Sequence, residues 1–148
     1  GRRYFRHELA SALAIIEEND EAAPDENLRT NLLAYLVASH HGRVRLSIRS
    51  LPDEQTPPDN PDRLVARGVW DGDELPAVRV HGIDATIEQK GTTLDLDVMT
   101  LGEGSWLERM LELRDHDDLG PFRLAYLEAL LRIADRHASR REQQPDTA

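Results

Sequence analysis

The 148-residue sequence contains no cysteine, which excludes disulfides and thiolate metal sites together. Any metal must be held by imidazole nitrogen and carboxylate oxygen, a donor set that leans toward Fe, Mn, Co, Ni or Mg and away from structural zinc. No apolar run approaches the roughly 20 residues of a membrane span, so no membrane association is expected. The first residues, Gly1-Arg2-Arg3-Tyr4-Phe5-Arg6-His7, lead straight into an amphipathic segment without a signal-peptide pattern, and the expected compartment is cytoplasmic. Positive charge is in deficit, with 18 basic side chains against 28 acidic ones and a formal net charge of −10. That balance argues against a domain that captures nucleic acid with its own long-range field. A nucleic-acid substrate would have to be delivered by something else. No internal repeat is present.

What remains is an ordinary globular composition, 39% hydrophobic and 31% charged, long enough for one domain with a real core. Because the chain opens on Gly1, it reads as a fragment of a longer protein. Phe5, Leu9, Ala12, Leu13 and Ile16 recur at spacings of three and four, predicting a helix over about 4–18. Leu28, Leu32, Leu33, Leu36 and Val37 predict a second helix from Asp25, as N-cap, to about His41, with Gly42 as the stop. Strict alternation over 44–49 predicts a short strand, and four prolines within 51–61 predict a loop. From about 63 to 99 the pattern is β-rich: 65–70, 77–80, 84–88 and 93–98 read as short strands broken by Asp-Gly, His-Gly and Lys-Gly turns. Two helices, over about 105–114 and 120–139, close the domain, the second with Pro121 near its first turn. The polar tail, 140–148, is expected to be disordered. The fold class is therefore mainly α with a small β-rich insertion.

Three places carry possible metal chemistry. His40 and His41 end the second helix. Adjacent histidines on a helix diverge by about 100°, so both can reach one ion only where the helix is finishing, as Gly42 implies. Two imidazoles at a helix C-terminus also suit the macrodipole without any metal. His7 lies in the first turn of the first helix beside the small residues Ala10 and Ser11, which leave room for close approach; an exposed first-turn histidine is the plainer reading. Asp135 sits in a helix that is apolar around much of its circumference, from Leu124 to Ala134. Such a helix is expected to be largely buried, and a buried carboxylate needs a cation, an arginine or hydrogen-bond donors.

The remaining candidates are weaker. Arg43, Arg45 and Arg49 share one face of the predicted strand and are positioned either to meet phosphates or simply to be solvated. His81 falls in a predicted turn beside Gly82. His116 stands among Asp115, Asp117 and Asp118, without the glycine and ligand spacing of a calcium loop. His137, two residues from Asp135, is expected to face away from it. Trp70 and Trp106 can stack on bases but are better explained as packing residues.

Taken in order, Arg6-His7-Glu8 with Ser11, His40-His41-Gly42, and Ala134-Asp135 with Ala138-Ser139 resemble the HD nuclease domain of the CRISPR-associated helicase-nuclease of type I interference systems. The stretches 68–76 (Gly68 to Pro76) and 119–128 (Leu119 to Glu128) further resemble subtype I-G, also called I-U, in which the HD domain follows the helicase. The resemblance spans nearly the whole chain. It implies an HD-superfamily helical domain over 1–139 that binds two divalent metals and cuts single-stranded DNA. It also implies a linked helicase domain and an RNA-guided surveillance complex as partners. By motif, His7, His40 and His41 would ligate one metal and Asp135 the other, as the catalytic set. The family's name-giving His-Asp pair and an earlier His precede the Arg-His-Glu motif, and neither precedes Arg6 here. This chain therefore completes at most one of the two sites. A non-catalytic helical docking module with remnant ligands, and a nucleotide phosphohydrolase of the wider HD superfamily, are the alternatives.

Overall fold

The computed structural model describes residues 2, 5–19, 24–41, 46–81 and 86–142. Among the described residues there are four helices: α1 (His7–Glu17), α2 (Pro24–Ser39), α3 (Trp106–Asp115) and α4 (Gly120–Glu142). Between α2 and α3 lie six short strands, β1 (Val65–Ala66), β2 (Val69–Trp70), β3 (Glu74–Leu75), β4 (Val78–His81), β5 (Thr86–Gln89) and β6 (Thr92–Thr93), then a 3₁₀ turn, Asp97–Met99. The mainly α architecture with a β-rich insertion is as the sequence predicts.

The first helix is the centre of the core. Leu9, Ala12, Leu13 and Ile16 are buried as their spacing predicts, and so are Glu8, Ala10 and Ala14. Burial on nearly every side follows from its neighbours. It packs mainly on α2 and also touches β6, and the backbone N–H of Arg6 donates to the Arg67 carbonyl at 3.0 Å. Asn19 ends it by donating from Nδ2 to the Ile15 carbonyl at 2.8 Å. The second helix turns Thr30, Asn31, Ala34, Tyr35, Ala38 and Ser39 inward. Small side chains at Ala10, Ala14, Ala34 and Ala38 allow packed helices to approach closely. The start of α1 lies beside the end of α2, because the His7 ring is 5.8 Å from that of His40. That juxtaposition brings His7, His40 and His41 into one group.

The insertion is built from three two-stranded antiparallel pairs, β1–β2, β3–β6 and β4–β5. Residues 65–70, predicted as one strand, instead fold back on themselves, pairing Val65 with Trp70 and Ala66 with Val69. The two-residue connection has Arg67 at φ 52° and Gly68 at φ 80°, the sign pattern of a type I′ hairpin turn. Arg2 holds this corner: its guanidinium lies 3.8 Å over the Trp70 ring and makes a bidentate pair with Asp73. Ala66, Val69, Leu94 and Leu96 face the core with Trp106, Met110 and Leu113 of α3. Ser105 caps α3 by accepting from the Glu108 N–H at 3.2 Å.

Four further expectations are corrected. The strand predicted over 44–49 does not form over its described part, 46–49, which is irregular; Val44 and Arg45 lie outside the described residues. His81 belongs to β4 and not to a turn. The last helix continues through the first part of the predicted tail, to Glu142. It is also far from buried. Leu124 and Glu128 are inside, while Phe122 (90% exposed), Tyr126, Leu130 and Ile133 face out. An apolar circumference creates a demand for burial, but the rest of the domain covers only one stripe of α4.

A candidate metal centre

Helix α2 stops at Ser39, and His40 and His41 occupy the turn beyond it. Leaving the helical path lets two consecutive imidazoles come together, with ring centroids 4.0 Å apart. His7, from the first turn of α1, completes the group at 5.8 Å from His40 and 5.3 Å from His41. One ring nitrogen from each of the three lies within 4.8 Å of the other two. An ion bound at about 2.1 Å from each nitrogen in tetrahedral geometry needs them roughly 3.4 Å apart, a contraction within reach of side-chain rotation. The cluster can hold a metal ion.

The hydrogen-bond partners select the donor atoms. His40 Nδ1 is 2.5 Å from the Val37 carbonyl. A carbonyl can only accept, so Nδ1 carries the proton and Nε2 offers its lone pair, as in a metal-ligating histidine fixed by a backbone oxygen. His7 Nδ1 is 3.6 Å from Oε2 of Glu8, which favours the same tautomer and leaves its Nε2 for the cluster. The pKa of His41 is lowered, first by burial, then by the charge of His40, with His7 adding to the effect and Glu8 and Asp135 opposing it. A lowered pKa keeps this imidazole neutral, hence a lone-pair donor, further into the acid range.

Glu8 is the residue that sequence reasoning left unassigned. Its side chain is completely buried, yet neither carboxylate oxygen has a hydrogen-bond partner among the described residues. Among the described residues, long ion-pair contacts reach it from His7 at 3.6 Å and Arg6 at 4.0 Å. A buried carboxylate without donors is costly unless positive charge is supplied nearby. The donor set and this carboxylate both fit a divalent cation at the three imidazoles. The signal available in the sequence was its place in a helix with core residues on both sides.

Asp135 does not occupy the interior position expected of it. It is exposed, because α4 extends beyond the surface it packs on. The buried carboxylate of that helix is Glu128, which accepts from the Tyr35 hydroxyl at 3.2 Å and lies 3.6 Å from the Arg132 guanidinium. Residues 128 and 135 are seven apart and so share a helix face. Tyr35 beside Glu128, and His41 within reach of the Asp135 charge, show α2 and α4 running in the same direction. Asp135 therefore stands beside the imidazoles without joining their group.

The other candidates do not converge here. Arg43 and Arg45 lie outside the described residues, and Arg49 is exposed. Trp106 is 1% exposed and belongs to the core, and the Trp70 indole N–H donates to the Gln55 carbonyl at 2.9 Å. His116 follows α3 and accepts from the Asp118 N–H at 3.1 Å, while Asp115 is engaged by Arg114. His137 is exposed. A larger cleft, lined by Leu107, Leu111, Glu103, Glu108, Glu112 and Asp115 among others, shares no residue with the imidazole group. Its carboxylates repel a polyanion. No family model, curated protein or solved structure matches the chain.

Proposed function

We propose that this chain is part of a metal-dependent nuclease domain of the HD type, hydrolysing phosphodiester bonds of single-stranded DNA in CRISPR interference. The observation that carries the reading is the convergence of His7 with His40 and His41. They come from two motifs 33 residues apart, the Arg-His-Glu and His-His-Gly triplets on which the family resemblance rests. In this reading the three imidazoles hold one divalent ion of the Fe, Mn, Co, Ni or Mg group. A bound ion polarises water and the scissile phosphate. His40 is kept in one tautomer by Val37; His41 stays neutral at working pH. Asp135, beside the group and exposed, is positioned to ligate the family's second ion. The net charge of −10 accords with a strand fed in by a linked helicase and a surveillance complex rather than captured by the domain itself.

The test is degradation of single-stranded DNA by the full-length protein with Mn²⁺ or Co²⁺, against mononucleotides as the competing substrate. Loss of DNA cleavage in His40→Ala, with mononucleotides untouched throughout, is expected. Hydrolysis of mononucleotides alone would make the chain a nucleotide phosphohydrolase. No hydrolysis of either, with or without His40, would leave the docking-module reading, which the exposed Phe122, Tyr126, Leu130 and Ile133 of α4 favour.

A further inference from the structure

We infer that Glu8 is the positioning and charge-balancing residue of the imidazole centre, a buried carboxylate that acts on the ion through His7. The inference rests on the reading of the three histidines as a metal site. A ligand role is the obvious alternative for a carboxylate at this place, and the geometry opposes it: among the described residues the group of mutually adjacent ligand atoms comprises His7, His40 and His41 and omits Glu8. Glu8 instead meets the other side of a ligand. Its Oε2 is 3.6 Å from Nδ1 of His7, slightly beyond hydrogen-bond distance. When Nε2 of His7 donates to a cation, the Nδ1 proton becomes more acidic and more positive. The contact then shortens into a charge-assisted hydrogen bond.

The energetics run the same way. Glu8 is fully buried, and among the described residues neither of its oxygens has a hydrogen-bond partner; Arg6, at 4.0 Å and partly exposed, supplies charge without a hydrogen bond. In the metal-free protein that carboxylate is a liability. A dication held among the imidazoles would offset it. Placement on α1 is also economical in geometry. Because α1 is buried on nearly every side, the backbone that carries His7 and Glu8 is held in place beside the His40–His41 turn.

The experiment is Co²⁺ titration of the full-length protein, followed by its visible d–d absorption, for the wild type, Glu8→Gln, Glu8→Asp and His40→Ala. Glu8→Gln is expected to bind Co²⁺ about 10- to 100-fold more weakly, the range for loss of an outer-shell partner, with the band shape unchanged. Glu8→Asp keeps the charge while withdrawing the oxygens, and is expected to fall between the two. Metal-free Glu8→Gln is expected to melt no lower than the metal-free wild type, which a merely structural carboxylate would not allow. Unchanged Co²⁺ affinity in both Glu8 variants overturns the inference while leaving the histidine site standing. A changed band shape in Glu8→Gln overturns it too, by making Glu8 a ligand. A wild type indistinguishable from His40→Ala removes the metal site and the inference together.

Discussion

Two carboxylates, Glu8 and Glu128, are buried among the described residues, and they are treated oppositely. Glu128 of α4 is matched by its surroundings: the Tyr35 hydroxyl donates to one oxygen and Arg132 stands 3.6 Å from the other. Glu8 of α1 has no hydrogen bond to either oxygen among the described residues. Glu128 meets Tyr35 in the C-terminal half of α2, and the charge of Glu8 reaches His41 just beyond its end. The difference separates a carboxylate that holds helices together from one that waits for a cation. A polar group whose partners are already present belongs to stability, and one whose partners are missing points to a ligand.

The largest expected effect tests the satisfied member. Glu128→Ala removes the buried hydrogen bond from the Tyr35 hydroxyl and is expected to destabilise the protein by about 1–3 kcal/mol, with or without metal, as read by urea unfolding. Tyr35→Phe should lose about 1 kcal/mol, and the double variant less than the sum of the two. An Ala substitution that leaves the unfolding midpoint in place would erase the contrast.

Metal-linked stability is the next effect in size. At a free ion concentration 100 times the dissociation constant, a bound metal stabilises the fold by about 2.7 kcal/mol. That increment is expected in the wild type and in Tyr35→Phe, and to be absent in His41→Ala. Thermal melts with and without Ni²⁺ measure it. An equal increment in His41→Ala would place the ion elsewhere.

Smaller again is the pH dependence of the metal-free protein. His41 has its pKa lowered by burial and by His40, so the unfolded chain binds a proton that the folded one resists. Stability is then lost as pH falls through the unfolded value near 6.5 and on to the lowered folded value. Replacing His41 with Gln should flatten that part of the profile in a denaturant series from pH 7.5 to 5. A steeper profile would mean the shift has the opposite sign. The smallest effect is local: because the Asp135 charge raises the His41 pKa, Asp135→Asn should lower it further in an NMR titration, with little change in stability. A rise would break the proposed neighbourhood of α4 and the imidazoles.

Much of this arrangement is written in local patterns. Period-3.6 spacing of Leu9, Ala12, Leu13 and Ile16 was enough to find α1, and Gly42 after a histidine pair was enough to see that the pair leaves the helix together. The hairpin at 65–70 was hidden because Arg67 carries no turn signature, and its positive φ depends on Gly68 and on the pairing of Val65 with Trp70. Asp135 was assigned to the correct face of α4 and the wrong depth. A helical period fixes which residues share a face; how far along the helix a core extends depends on tertiary packing that no periodicity records. Glu8 shows the same limit from the other side. Its burial comes from what packs around α1, which the place of an acidic residue in the first turn does not record.

The central claim is that three imidazoles from two helix ends form one metal site. Elemental analysis of the full-length protein, after equilibration with Mn²⁺, Co²⁺ and Ni²⁺ in turn and removal of excess ion, tests it most directly. His7→Ala, His40→Ala and His41→Ala are expected each to lose the same single equivalent of bound metal relative to the wild type. Metal content that is indifferent to all three substitutions would contradict it.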